Sequence, residues 1–594
     1  MSITPRKKIL FWLITILFPV VLLAIIELGL RLSGYDEKKQ DLFIEYVANT
    51  DYLIPNPEYV KRYFPTFQPN IAPNVFKKEK AKNTFRVFVF GGSSTFGFPY
   101  NFYYSFASQL EQLLLLNTDG LNVEVINLGM TAVNSYVIRD LSKKVMPYDP
   151  DAVIIYAGHN EYYGSFGVAT TQFGLVNSIF IKRMVIGLKD LRLFRLFENL
   201  LKGDVDSNPE NRTLMAKVIK ESNIELGGEL YEEGVKQFEK NIGDVIDLFI
   251  GEEIPVYIGT IASNLKDQPP LGDNEDALSK YKEANRLLES GDSLSAINSF
   301  EEAKELDGIR FRGVKGINEF ISKSSEREGV HLVDIQKMLR ETSTSGIEDE
   351  TIFTDHLHPN ANGHILMAEL FYETILDLKQ VKDSYKPNSF TIPQKISQFE
   401  QVYSNTAISR LLVGYPFKKG LSVEQELAEF QKIYQGYLSS SYTDSIAASA
   451  ARTNRLVPLA LTDVVNKSKE LQDSTMVISH YYELLKWQLN SVDLIEKGIE
   501  YAVNNRSADT YLVNIITQVL NDGNYEPRYM DVLSSLYLLN NELDKAGYWL
   551  AESERLEPDS MRLVYNYARY YLLTGNNTKA NEYYQRFLNL QKGN

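Results

Sequence analysis

The chain has 594 residues, of which 44% are hydrophobic and 12% aromatic, and this length and composition predict a folded protein of about three or four domains. The net charge of −15 argues against binding to a nucleic-acid backbone, because a protein without a basic excess cannot displace the counterions of the phosphates. The absence of cysteine excludes disulfides, thiolate nucleophiles and thiolate zinc sites.

An apolar run lies near the N-terminus. Residues 9–26 follow a basic cluster at positions 6–8 and are interrupted only by Thr15 and Pro19. The run is about as long as a helix must be to cross a hydrocarbon core of about 30 Å. No small-x-small cleavage site follows it, which favours an uncleaved anchor over a signal peptide. We predict a single-pass membrane anchor over residues 1–33. Its N-terminus is predicted to lie inside and the bulk of the chain outside the cytoplasm. Basic residues after the run are as numerous as those of the N-terminal cluster, and the excess of basic residues on one side sets the orientation.

The next segments predict an α/β fold. Residues 34–83 are rich in proline and tyrosine and lack periodicity, so we predict an extended collar between the membrane and the body of the protein. From residue 84 the pattern alternates between strand and helix, which predicts a mostly parallel sheet with helices on both faces. The predicted strands are 87–90, 123–128, 152–156, 254–258 and 331–335, and the helices between and after them include 104–116, 135–145 and 365–375.

Two further regions are predicted to be helical. Residues 165–325 form a helical insertion in which six residues match the packing positions of a tetratricopeptide helix pair: Ala284, Leu287, Gly291, Ala296, Phe300 and Ala303. Residues 385–594 form a tetratricopeptide-like all-α domain, since Tyr537, Ala546 and Leu550 recur 34 residues later as Tyr571, Ala580 and Tyr584. Amphipathic stretches at 423–437 and 481–499 fit the same domain without a clear period. Simple core packing would also account for these residues.

Polar residues follow several of the predicted strands. Ser93 comes directly after the first strand, a turn over residues 129–132 follows the second, and Asn160 follows the third. Because the carboxyl ends of parallel strands meet at one edge of a sheet, these residues are predicted to lie together. Asp355 and His358, three residues apart in one turn, could supply the base and the orienting carboxylate that a serine nucleophile needs. Each feature alone is also typical of an ordinary turn, helix cap or surface pair.

Over residues 84–380 the sequence resembles the SGNH (GDSL-type) hydrolase family. Residues 91–97, Gly-Gly-Ser-Ser-Thr-Phe-Gly, match its Gly-Asp-Ser motif except that Gly92 replaces the aspartate. The resemblance implies that Ser93 is the nucleophile, with Ser94 a bystander, and that Asp355 and His358 are the orienting acid and the base.

The same resemblance implies an oxyanion hole made of the Ser93 N–H, the Ala132 N–H and the Asn160 side-chain amide. Two further residues depart from the family pattern. Ala132 stands where the family usually has a glycine, which weakens the assignment of that donor, and Glu161 replaces the usual aspartate after the asparagine.

The predicted function is a membrane-anchored serine esterase of the cell envelope that hydrolyses or transfers an acyl group, with O-acetyl groups on envelope glycans, or lipids, as candidate substrates. No cofactor and no metal are predicted. A metal site made of His356, His358 and His364 would leave the serine motif unexplained. The alternative is a non-catalytic scaffold, since tetratricopeptide arrays bind protein partners on a concave face.

Overall fold

The computed structural model describes residues 5–593 except for 38–39, 47–48, 65–68, 119, 171–177, 202–218, 220–221, 387–395, 454 and most positions between 474 and 526. The amphipathic helix predicted over residues 481–499 therefore lies almost entirely outside the described residues.

The chain begins with the helix Pro5–Leu32. Its segment Phe11–Leu32 has 22 residues with a mean hydropathy of 2.6, and none of it is buried against the rest of the chain. Length and composition make it a candidate membrane span, and a signal sequence would meet the same criterion.

The predicted collar contains a small antiparallel sheet of β1 (Phe43–Tyr46), β2 (Asn49–Pro55) and β3 (Phe76–Lys77), in the order β1-β2-β3. Two helical turns, Pro57–Val60 and Lys61–Tyr63, follow β2. Phe43 and Phe76 pack edge-on, with ring centroids 4.9 Å apart, and Phe76 also lies 6.0 Å from Phe88 of the main body. This segment is therefore packed onto the α/β body. The sequence did not predict these strands, because two to seven residues are too few to display a hydrophobic period.

The main sheet has five parallel strands in the order β5-β4-β6-β7-β8, as the α/β pattern predicted. All residues of β4 and β6 are buried, because helices cover both faces. The strands are β4 (Thr84–Gly91), β5 (Asn122–Asn127), β6 (Ala152–Tyr156), β7 (Val256–Gly259) and β8 (Val330–Val333). The helices that accompany them are Ser93–Phe96, Phe106–Asn117, Ser135–Val145, Glu229–Ile250, Lys315–Ser324, Ile335–Thr342, Ala361–Ile375 and Lys379–Ser384, with single turns at Phe102–Tyr104 and Met146–Tyr148.

The range 165–325, predicted as an insertion, includes elements of the sheet domain itself. β7 lies inside it and pairs with both β6 and β8. The helix Glu229–Ile250 buries Phe238, Ile242 and Phe249 in the same hydrophobic core as the sheet. Among the described residues of this range, the added helices form two separate groups: Ile179–Leu188 with Arg192–Leu201, and Glu275–Glu289 with Ser293–Leu306.

The helices Glu275–Glu289 and Ser293–Leu306 form the predicted helical hairpin. Ala284, Ala296 and Phe300 pack together in one buried cluster. Gly291 turns the chain between the helices with φ of +86°, a backbone conformation that glycine adopts without steric cost.

The described residues of the C-terminal region form only helices and their connections, as predicted. Its described helices are Gln398–Leu412, Val423–Leu438, Tyr442–Thr453, Val457–Glu470, Pro527–Leu539, Leu543–Leu556, Met561–Leu573 and Asn577–Gly593. Ala546 and Leu550 are fully buried in the first predicted repeat. In the second repeat Ala580 is buried, but Tyr584 is 44% exposed and stacks on Phe587 of its own helix instead of entering a core.

Candidate active site

The turn after β4 holds Ser93 at the carboxyl edge of the sheet. A Cβ on Gly91 would collide with the Thr95 hydroxyl and the Tyr156 carbonyl, so glycine is required where β4 ends. The Thr95 hydroxyl donates to that same Tyr156 carbonyl at 2.9 Å. The Asn127 amide, at the end of β5, donates to the Thr95 carbonyl at 2.7 Å. Ser93 is therefore held by contacts from both strands adjacent to β4.

A continuous hydrogen-bonded chain links three of the predicted site residues. Ser93 Oγ lies 2.7 Å from His358 Nε2, and His358 Nδ1 lies 2.6 Å from Asp355 Oδ2. An ionised carboxylate only accepts hydrogen bonds, so His358 carries its proton on Nδ1 and Nε2 is left to accept the Ser93 O–H. This arrangement can remove a proton from the serine hydroxyl as that hydroxyl attacks an electrophile.

The local loop holds Asp355 ionised. Its Oδ1 accepts the backbone N–H groups of Leu357 and His358 at 2.9 and 2.8 Å. Burial alone would raise the pKa of the Asp355 carboxyl, but the adjacent rings of His358 and His356 and their hydrogen bonds hold that pKa well below its usual value. The carboxylate thus keeps its charge in a buried site and can orient the base.

His356 is a second imidazole on the same carboxylate. Its Nδ1 lies 3.4 Å from Asp355 Oδ1, and its ring packs edge-on against Phe417 of the C-terminal region at 4.9 Å. Burial lowers the pKa of His356, although the Asp355 charge opposes the shift. Sequence analysis considered His356 only as a ligand of the alternative metal site, and its position directly after Asp355 was the available signal for a contact with this carboxylate.

Asn160 lies against the serine turn. An ideal Cβ on Gly92 would approach the Asn160 side-chain nitrogen to 2.6 Å, so a residue with a side chain does not fit there without moving the amide. The replacement of the family's aspartate by Gly92 is therefore matched to the position of Asn160 in this chain.

Ala132 occupies a left-handed backbone conformation with φ of +60°. This region is favourable for glycine and costs other L-residues about 1 kcal/mol or more, which explains why a glycine is usual at this place. The Ala132 carbonyl accepts the Ser165 N–H at 3.0 Å, and the Asn160 carbonyl accepts the Gly164 N–H at 2.7 Å. Within the described part of the chain the Ala132 N–H meets no backbone acceptor, so it is free to donate to a bound group.

Glu161, next to Asn160, forms buried hydrogen bonds that hold this loop in place. Its carboxylate accepts the Ser135 hydroxyl at 2.6 Å and the Ser135 N–H at 3.1 Å, and Asn241 donates to the same hydroxyl. The Gln237 amide donates to the Glu161 carbonyl at 2.7 Å. Burial raises the pKa of Glu161 to about 7, and the Ser135 hydrogen bonds oppose that shift. These hydrogen-bonded partners are up to 106 residues apart in sequence, so sequence patterns carried no signal for this network.

The remaining histidine of the metal alternative lies elsewhere. His364 is buried, and its Nδ1 accepts the Phe106 N–H at 3.3 Å. The groups whose ligand atoms lie within 4.8 Å of one another are instead Asp355, His356 and His358. A cation there would compete for the atoms that join His358 to Asp355. Ser94, predicted to be a bystander, donates to the Leu357 carbonyl at 3.3 Å and so links the serine turn to the Asp-His loop.

The fold and site together define an α/β protein with a Ser-His-Asp arrangement at the carboxyl edge of a parallel sheet. No family model and no curated protein matches the sequence. Similar solved structures include a lipase/acylhydrolase from Enterococcus faecalis (15% identity, 52% of this chain and 100% of that chain, TM-score 0.27). Another is the acetyl xylan esterase AlAXEase (13% identity, 49% of this chain and 99% of that chain, TM-score 0.26).

A third similar structure is MamA from Desulfovibrio magneticus RS-1, with 13% identity over 34% of this chain and 98% of that chain and a TM-score of 0.20. GDSL-type hydrolases, the family that the sequence motifs resemble, are thus among the similar solved structures, which also include a G-D-S-L family lipolytic protein from Desulfitobacterium hafniense. The case for a particular reaction rests on the geometry of the site itself.

Proposed function

We propose that this protein is an SGNH-type serine ester hydrolase, with Ser93 as nucleophile, His358 as base and Asp355 as the orienting acid. The observation that carries the proposal is the chain of short hydrogen bonds from Ser93 Oγ through His358 to Asp355. A serine turn, an imidazole and an ionised buried carboxylate in this order have few structural uses and one well-defined chemical use.

In the first step, Ser93 Oγ attacks the ester carbonyl carbon while His358 Nε2 takes the hydroxyl proton. The Asp355 charge stabilises the imidazolium that results. The protonated His358 then gives its proton to the alcohol oxygen, the carbon–oxygen bond to that alcohol breaks, and the acyl group remains on Ser93.

The negative oxygen of the tetrahedral intermediate is met by the N–H groups of Ser93 and Ala132 and by the Asn160 amide. Donors of this kind stabilise the transition state because they are aimed at the developing charge before reaction. In the second step, His358 removes a proton from water, the hydroxide attacks the acyl carbon, and Ser93 leaves with the proton. A sugar hydroxyl in place of water would make the reaction an acyl transfer.

Turnover of p-nitrophenyl acetate by Ser93→Ala and Ser94→Ala variants tests the assignment. The neighbouring hydroxyl provides a matched control, since Ser94 has the same chemistry but contacts the Leu357 carbonyl instead of His358. We expect Ser93→Ala to lose the activity and Ser94→Ala to retain most of it. Equal and negligible rates in the wild type and Ser93→Ala would contradict an esterase.

We further propose that the enzyme is held in a cell membrane by its N-terminal helix, with residues after 33 outside the cytoplasm, and that it acts on O-acylated envelope glycans or lipids. The exposed apolar surface of Phe11–Leu32 supports the anchor. Because the chain lacks cysteine, a Leu294→Cys variant offers a unique label site on an exposed leucine of the body. Labelling of intact cells by a membrane-impermeant maleimide is expected, and labelling only after lysis would reverse the orientation.

Turnover of acetylated glycans set against short-chain and long-chain esters tests the substrate class, and cleavage of long acyl chains alone would contradict the glycan preference.

The C-terminal helices are proposed to bind a protein partner, as the alternative or additional role. Exposed tyrosines on these helices support this, including Tyr548 at 60% and Tyr565 at 41% exposure, because tyrosine is enriched in protein interfaces. A photo-crosslinking residue at Tyr548 is expected to capture a specific protein, and the same residue at buried Tyr529 is the control. Equal patterns from the two positions would contradict a binding surface there.

A further inference from the structure

Two helices after β6 have buried basic side chains and exposed apolar side chains. In and between Ile179–Leu188 and Arg192–Leu201 the basic side chains of Lys182, Lys189, Arg192 and Arg195 are buried. Six large apolar side chains in the same stretch are exposed: Phe180, Ile181, Met184, Leu191, Phe197 and Leu200. Phe180 and Leu200 are the most exposed, at 74% and 72%. A water-facing helix normally shows the opposite arrangement, so these helices are built for an apolar surrounding.

Two of the four buried cations pair with carboxylates of the chain. Lys189 pairs with Glu198 at 2.5 Å, and Arg195 pairs with Asp36 at 2.8 Å. Lys182 lies 5.6 Å from the centre of the Tyr136 ring. The basic side chains therefore face the interior of the protein, and the outer face of the two helices is apolar.

The outer face is continuous with the end of the N-terminal helix. Glu27 of that helix accepts the backbone N–H groups of Arg192 and Leu193 at 3.2 and 2.8 Å. The Arg192 guanidinium donates to the carbonyls of Leu30 and Arg31 at the end of this helix. The apolar face therefore begins where the candidate membrane span ends.

We propose that the helices Ile179–Leu188 and Arg192–Leu201 lie in the surface of the same bilayer that the N-terminal helix crosses, with their exposed apolar side chains in the acyl boundary. The inference rests on the membrane anchor of the proposed function. A helix with an apolar face and a charged face lies in this interface when lipid takes the apolar side. Here the charged side is taken by the protein, so the body is held against the membrane by a surface as well as by a tether.

The absence of cysteine allows a direct test on the full chain in vesicles of phosphatidylethanolamine and phosphatidylglycerol. Spin labels are placed singly at Phe180→Cys, Leu200→Cys, Leu17→Cys within the anchor, and Leu294→Cys, a matched exposed leucine on the helix Ser293–Leu306. Collisions of each label with oxygen, which concentrates in lipid, are compared with collisions with a water-soluble nickel chelate. We expect the labels at Phe180, Leu200 and Leu17 to favour oxygen and the label at Leu294 to favour the nickel chelate.

The outcomes separate the surface from the anchor. If Leu17 favours oxygen while Phe180 and Leu200 favour nickel, the anchor stands and the surface proposal is overturned. Protection of Phe180 and Leu200 from both reagents means that a protein, such as a second copy, covers the face, and this also overturns it. If Leu17 itself favours nickel, the anchor fails and the bilayer surface fails with it. None of the four substitutions touches Ser93, so turnover of p-nitrophenyl acetate reports on the esterase independently.

Discussion

The two sides of the candidate active site differ in how their residues are held. On one side Ser93, His358 and Asp355 match the family motifs and form direct side-chain hydrogen bonds of 2.6 to 2.7 Å. On the other side, which we call the oxyanion side, the turns around Ala132 and Asn160 contain or contact each of the departures from the motifs. There the geometry depends on backbone conformation and on buried neighbours. The candidate site is thus shaped by side-chain hydrogen bonds on one side and by backbone conformation and packing on the other.

The largest expected effect is on the Asp-His side. In Asp355→Asn the side-chain oxygen can still accept the two backbone N–H groups that Oδ1 accepts in the wild type, so the loop is expected to keep its shape. The new amide NH₂ then faces His358 Nδ1, which forces the proton onto Nε2 and removes the acceptor for Ser93. We expect turnover to fall about 10⁴-fold with little change in stability. The rate with p-nitrophenyl acetate and the circular dichroism melting curve measure the two quantities, and a loss below tenfold would mean that Asp355 does not orient the base.

The oxyanion side is expected to respond less. Asn160→Ala removes one of three proposed donors, so we expect kcat to fall about 10²- to 10³-fold with KM nearly unchanged, because the contact forms mainly in the transition state. Steady-state kinetics on the ester separates the two constants. A rise in KM at constant kcat would show instead that Asn160 binds the ground state.

How much of this site the sequence could predict follows the same division. Ser93, Asp355 and His358 were singled out because a local motif specifies each one, and the parallel sheet was predicted because strands and helices alternate in sequence. The contact of Gly92 with Asn160 and the carboxylate network of Glu161 depend on packing between distant segments, and so does the contact of His356 with Phe417. Strand 254–258 was predicted from its composition, but the pairing of β7 with β6 and β8 and the burial of the helix Glu229–Ile250 in the sheet core depend on distant contacts, so the bounds 165–325 drawn for an insertion enclosed both elements.

Glu161 tests whether the buried neighbours of the oxyanion side matter. Burial raises its pKa from 4.5 to about 7, so the folded protein binds this proton more tightly than the unfolded chain. The associated stability is fully present below pH 4.5 and is lost as the pH rises through about 7. Glu161→Gln is neutral throughout, so relative to this variant the wild type should lose on the order of 3 kcal/mol of unfolding free energy across that window.

Urea unfolding of both proteins at about pH 5 and about pH 8 measures this difference. Glu239→Gln, which replaces an exposed glutamate on the helix Glu229–Ile250, is the matched control: it retains Glu161 and should lose stability between these two pH values as the wild type does. Parallel pH profiles for the wild type and Glu161→Gln would mean that the carboxylate is stabilised as fully by Ser135 as it is by water.

The smallest effect tests the backbone of the oxyanion side. Ala132 has φ of +60°. Glycine relieves this strain, which raises the free energy of unfolding by about 1 kcal/mol or more. The greater freedom of glycine in the unfolded chain lowers the same free energy by about 0.4 to 1 kcal/mol. Ala132→Gly is therefore expected to stabilise the protein by about 0.5 kcal/mol, with turnover unchanged because the N–H donor remains. Ala107→Gly in the helix Phe106–Asn117 is the control with the opposite sign, since a helical glycine costs about 1 kcal/mol. Ala132→Val should destabilise, because a β-branched residue is strained further at positive φ. If Ala132→Gly instead destabilised the fold as Ala107→Gly does, the methyl group of Ala132 would be contributing packing that outweighs its strain, and the oxyanion side would depend on side-chain contacts as the Asp-His side does.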